Sequence, residues 1–176
     1  GLRDKEGIPF SFTFSISAGS KNSKYLSLMM KEDLRKVGIE VNIRQLEWSV
    51  YVENLRDRQF DVVSLLWIGG LETDPYQIWH SDNIGDRGSN YIGFMNAEAD
   101  SLLIAAQSEM DKTKRNALYY RFQEILHEEQ PYTFMHYQRD PGAYLKEFRG
   151  AKWIPIRPGY KFYSWWRAGA VQGAPL

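Results

Sequence analysis

The chain has 176 residues, with 22 Lys and Arg against 22 Asp and Glu, 43% hydrophobic residues and no cysteine. That length suits one domain with a real core. Balanced charge removes the electrostatic case for a nucleic-acid or anionic-membrane partner, and the missing thiols exclude disulfides and thiolate metal centres.

"PFSFTFSIS" alternates, with Phe10, Phe12, Phe14 and Ile16 on one face, which predicts a strand over 9–17. Ser20 or Asn22 then caps a helix whose apolar residues are Leu26, Met29, Met30, Leu34 and Val37, and Gly38 supplies its left-handed end. "IEVNIRQLEW" predicts a second strand. Ser49 is expected to cap a short helix through Val52 and Leu55 that ends near Arg58. "DVVSLLW" (61–67) is nearly continuous in apolar residues, so it is expected to be the central strand, covered on both faces. Strand, helix, strand, helix, strand with connections of this length predicts an α/β fold with an open, mostly parallel sheet and flanking helices.

From 68 to 96 the periodicity stops among glycines, an Asp-Pro pair and aromatics. A loop of that length is functional or held by packing. Asn96 is expected to cap a helix containing Leu102, Leu103 and Ala106, and a second helix starts near Asp111 or Thr113 with the stripe Leu118, Phe122, Ile125 and Leu126, stopping at Pro131. "YTFMHY" (132–137) reads as a last strand. "KWIPIRPGYKFYSWW" is aromatic, basic and irregular, and the small residues from 168 to 176 are expected to be a disordered tail. The opening "GLRDKEGIPFSF" has no initiator Met and no charged-then-apolar export signal, so we expect a fragment of a longer protein.

Motifs for chemistry are absent. His80, His127 and His136 lack i, i+4 metal spacing, and the adjacency of His80, Ser81 and Asp82 is not a triad, because sequence neighbours cannot converge as one requires. No G-x-S-x-G elbow, phosphate loop or G-x-G-x-x-G is present. "RDKEG" is too short in liganding positions for a calcium loop. Glu72 and Asp74 follow the third strand, where ligands gather in open α/β sheets, and leave a paired-acid hydrolase or transferase open. Binding without catalysis or a cofactor is the better-supported alternative. Trp67 ends the strand with an apolar wall and an indole donor, and Gly69 and Gly70 after it permit close backbone approach.

The order of these pieces resembles a known family. "LMMKEDLRKVGIEVNIRQLEWSVYVENLRDRQFDVVSLLWIGG" and "SNYIGFMNAEADSLLIAAQSEMDKTKRNALYYRFQEILHEEQPYTFMHY" together look like the C-terminal lobe of the dipeptide/oligopeptide-type solute-binding proteins (extracellular solute-binding family 5), over about 1 to 166. The resemblance implies one lobe of a two-lobed, type II-like periplasmic binding protein that serves an ABC permease outside the cytoplasm. On that reading 1–150 is the ligand-binding lobe, 151–167 returns toward a missing N-terminal lobe, and 168–176 is the tail.

The resemblance further implies that Leu66, Trp67, Ile68, Gly69 and Gly70 offer backbone to a ligand as an added strand would. Asn90 and Tyr91, in the "SNYIG" that opens the second matching segment, complete the candidate set. Many peptide receptors place an Asp three residues after the Trp, where it pairs with the ligand's amino group, and here that position is Gly70. The resemblance implies a peptide or similar small solute as the ligand, and Gly70 departs from the pattern by which such receptors take a free amino terminus. Nickel chelates, opines, sugars and haem remain open, as does a sensor domain of the same fold fused to a regulator.

Overall fold

A computed structural model describes residues 1–68, 74–85, 88–137, 142–154 and 158–169. Two compact units emerge: Gly1–Trp67 with Asp74–Pro131, and Ile68–Thr73 with Tyr132–Leu176.

The first unit opens with a hairpin, Asp4–Lys5 (β1) against Ile8–Pro9 (β2). Glu6 and Gly7 at its tip both have positive φ, 55° and 80°, which matches the right-handed twist of a two-residue hairpin turn. The Gly7 N–H donates to the Asp4 carboxylate at 2.9 Å, so "RDKEG" is a turn.

Ser11–Ser17 (β3) follows, then helix Lys21–Lys36 (α1), strand Glu40–Leu46 (β4), helix Trp48–Arg56 (α2) and strand Val62–Val63 (β5). Both β4 and β5 pair with β3 in parallel, so the sheet order is β4-β3-β5. The parallel α/β expectation holds. The expected central place of 61–67 does not, because β3 is central and β5 lies at the edge. The apolar run had another cause. Its ladder ends after two residues, and Leu65, Leu66, Trp67 and Ile68 are 39–60% exposed. Those residues are apolar on the surface rather than buried on two faces.

The core of the sheet is Phe14, Ile16 and Val41, with Phe12, Ile43, Val62 and the α1 residues Leu26, Met30 and Leu34 packed against it. Each large apolar side chain fully buried this way stabilises by about 1.5–3 kcal/mol. The stripe on α1 is narrower than its sequence suggests. Met29 and Val37 are exposed, and Ser27 is buried and donates to the Lys24 carbonyl.

Capping follows local chemistry. Ser20 accepts from the Ser23 N–H and starts α1, and Gly38 ends it at φ 80°. Beyond the conformation, a Cβ on Gly38 would lie 2.7 Å from the Gly1 carbonyl oxygen and 2.9 Å from the Arg3 nitrogen. Helix α2 corrects an expectation: its cap is Glu47, not Ser49. The Glu47 carboxylate accepts from the Ser49 N–H at 2.8 Å and also takes the Ser49 hydroxyl, so the helix begins at Trp48.

From Asp74 onward, the described residues of the stretch after β5 pack against the helices that follow. A short helix Tyr76–Trp79 (α3) and a 3-10 turn at Ser81–Asn83 lead to the paired helices Ala97–Ser108 (α4) and Lys112–Glu129 (α5). Trp79 meets Phe94 and Phe122 edge-on, at 5.8 and 6.2 Å between ring centres. Leu103 and Ala106 of α4 and Phe122, Ile125 and Leu126 of α5 are buried. Asn96 and Asp111 cap these helices as expected, and Gln130 at φ 46° closes α5 ahead of Pro131.

In the second unit, Phe148–Arg149 (β6) pairs antiparallel with Trp166–Arg167 (β7). The Trp165 ring gathers Tyr144, Phe148, Trp153, Tyr160 and Phe162 at 5.5–6.3 Å. The expected strand at 132–137 does not form, because its alternation meets no hydrogen-bonding partner strand among the described residues. Of the expected tail, 170–176 lies outside the described residues.

Candidate functional site

The site begins where β5 stops. Two side chains bracket this short strand. Asp61 accepts the Thr13 N–H at 2.8 Å just ahead of the ladder, and the Tyr51 hydroxyl donates to the Ser64 carbonyl at 2.8 Å just beyond it. The chain then runs through Leu65, Leu66, Trp67 and Ile68 with apolar side chains exposed. The indole of Trp67 lies against the ring of Tyr91, 5.8 Å between centres and 14° between planes. The structure thus brings together two of the residues expected at the site, Trp67 and Tyr91, as a stacked pair. Gly69, Gly70 and Glu72 lie outside the described residues.

Asn90 has a different place from its neighbour Tyr91. It is fully buried. Its amide nitrogen donates to the carbonyls of Trp79, His80 and Phe94, at 3.2, 3.3 and 2.8 Å, while its amide oxygen accepts from the Phe94 N–H at 3.0 Å. That side chain is committed to the backbone and holds the loop that carries Tyr91. Sequence reasoning missed Tyr51 and Arg58. Arg58 donates to the carbonyls of Ile84 and Asn90, and nothing local in the sequence signals contacts across 26 and 32 residues.

Of the groups considered for catalysis, Asp74, His80 and Ser81 are engaged in local contacts. Asp74 accepts the Tyr76 N–H at 2.9 Å and the Gln107 amide at 2.6 Å. His80 is buried and stacks on Tyr76 at 4.2 Å, and its Nδ1 accepts from the Asp82 N–H. Ser81 donates both its N–H and its hydroxyl to Asp100. Burial first, and then the hydrogen bond and negative charge of Asp82, hold the Tyr76 phenol above its ordinary range. No group of three or more His, Cys, Asp or Glu among the described residues could hold a metal ion. A concavity of about 460 Å³ is lined by 3–10 residues such as Arg3, Ile8 and Phe10, and does not include Trp67 or Tyr91.

A short parallel sheet with flanking helices and an exposed aromatic strand end is an arrangement that α/β ligand-binding lobes use. The model of the bacterial extracellular solute-binding proteins, family 5, middle region, matches residues 1–89, and the chain belongs to that family. The oligopeptide-binding protein AppA of Bacillus subtilis is 35% identical over 170 residues, covering 96% of this chain and 31% of that protein. The structure of Bacillus subtilis AppA in complex with a nonapeptide superposes with a TM-score of 0.77 at 34% identity, over 96% of this chain and 34% of that one. NikA from Brucella suis, solved with Fe(III)-EDTA, gives a TM-score of 0.59 at 27% identity over 73% of this chain and 26% of its own. The chain thus spans about a third of the length of the curated relative it matches. No helix among the described residues is long and apolar enough to cross a membrane.

Proposed function

We propose that this chain is part of an extracytoplasmic receptor that binds a peptide between two lobes and delivers it to an ABC permease, without catalysis. The observation that carries this reading is the exposed segment 65–68 leaving a parallel strand, with Trp67 stacked on Tyr91. A strand end with its ladder finished offers backbone to an extended ligand, as in strand addition, and the stacked rings offer a flat apolar wall. The likeness to a protein solved with a nonapeptide favours peptide over the chelate bound by NikA. Leu66, Trp67, Ile68 and Tyr91 are the residues we assign to contact, joined by Gly69 and Gly70. Asn90 serves by placing Tyr91. The other lobe would come from the remainder of a longer protein.

Calorimetry of the full-length protein against a pool of synthetic nonapeptides tests this. Binding is expected, weakened about thirtyfold or more by Trp67→Ala, since truncating a central aromatic anchor costs about 2 kcal/mol or more. With Gly70 in place of an acidic anchor, N-acetylated peptides should bind as well as free ones. Absence of binding, or full retention in Trp67→Ala, would contradict the proposal.

A further inference from the structure

Helices α1 and α2 both end in a left-handed residue one position past the cap, but with different chemistry. After Val37 the residue is Gly38 at φ 80°, and after Asp57 it is Arg58 at φ 55°. Glycine adopts this conformation without strain, whereas a long L side chain does not. A strained residue persists where its surroundings hold it, and its side chain is the place to look for the reason.

The half-buried Arg58 side chain reaches three carbonyls. Its Nη2 donates to Ile84 and to Asn90, the latter at 3.1 Å, and its Nη1 approaches Arg56 at 3.4 Å. Ile84 and Asn90 stand at the two ends of the stretch that precedes Tyr91. Arg58 itself stands four residues before β5, whose extension carries Trp67. One guanidinium therefore ties the turn that launches one partner of the stacked pair to the loop that presents the other. Asn90 fixes the same loop from inside, through the carbonyls of Trp79, His80 and Phe94.

On these contacts, and resting on the ligand-binding role proposed above, we infer that Arg58 is a positioning residue for the ligand wall: it sets Tyr91 against Trp67 through the backbone of Ile84 and Asn90. One nitrogen, Nη2, meets both carbonyls, and a lysine replaces it only in part, because its ammonium ends a shorter and more flexible stem than the planar guanidinium.

The test uses the full-length protein with Arg58→Gly and Arg58→Lys. Glycine relieves the positive φ while removing the guanidinium, so a loss of loop order in this variant cannot come from backbone strain. Two readouts need no ligand: hydrogen exchange at the amides of Asn90, Gly93 and Phe94, and Trp67 emission obtained by difference from Trp67→Phe. In Arg58→Gly those three amides should exchange about tenfold faster or more, as expected when hydrogen bonds from a charged donor are lost. The β3 amides of Phe14 and Ile16 should stay unchanged, Trp67 emission should move to longer wavelength, and Arg58→Lys should fall between. Unchanged loop exchange and emission would overturn the inference, as would equal acceleration in β3, which would make Arg58 a general stabiliser. A nonapeptide pool then separates the two proposals. If wild type shows no binding but the loop readouts respond as stated, the peptide reading fails and the latch stands.

Discussion

The Tyr51 hydroxyl donates to the carbonyl of Ser64 at 2.8 Å, from a ring that is 2% exposed. A side chain of α2 thereby continues, by one bond, the ladder that β5 gives up after Val63, and the direction in which Leu65 to Trp67 leave the sheet is set from the helix. Burial pushes this phenol up to about 12 from the ordinary 10. Because the folded value is raised, the stability tied to the neutral phenol is complete below pH 10 and is lost as pH rises toward about 12. Tyr51→Phe should cost about 1 kcal/mol, the net worth of one hydrogen bond, and should flatten the alkaline fall in that window. Urea melts of both proteins at several alkaline pH values measure this; identical alkaline profiles would remove Tyr51 from the account.

Asn90 is the costlier position. Replacing it with Ala removes four buried hydrogen bonds, three to carbonyls and one from the Phe94 N–H, with an expected loss of roughly 2–4 kcal/mol. Asn90→Asp should be nearly as harmful, because a carboxylate cannot donate to the carbonyls of Trp79, His80 and Phe94. Thermal melts check both, and a loss below the expected range in Asn90→Ala would show that water replaces the amide.

Gly38→Ala should destabilise by about 1–2 kcal/mol. It combines a positive φ with a Cβ set against the backbone of Gly1 and Arg3. The loss should show first at the hairpin, as faster exchange of the Arg3 N–H, which donates to the Gly38 carbonyl at 2.7 Å. Unaltered exchange there would mean that the N-terminal strand-and-turn segment does not depend on this contact.

What the sequence made legible was local. Ser20, Asn96 and Asp111 announce helix starts because a short oxygen-bearing side chain reaches the free N–H groups of its own first turn. Gly38 announces an end for an equally local reason. Strand order was not legible, because the apolar run 61–67 looks alike whether buried on two faces or partly exposed at a sheet edge. Glu47 was missed since a carboxylate two residues ahead caps as well as the serine it binds. Trp67 and Tyr91 could be named from their surroundings in sequence, but their stacking could not, and neither could the bridges from Tyr51 and Arg58, which close over 13 to 32 residues.

The central claim is that the 65–68 segment, with Trp67 against Tyr91, is the surface a peptide meets. Hydrogen exchange of the full-length protein with and without a nonapeptide pool tests it most directly. The account predicts that the amides of 65–68 and Tyr91 exchange about tenfold more slowly or less with the peptides bound, while those of Phe14 and Ile16 are unchanged. Peptide binding that leaves 65–68 and Tyr91 exchanging as in the free protein would contradict it.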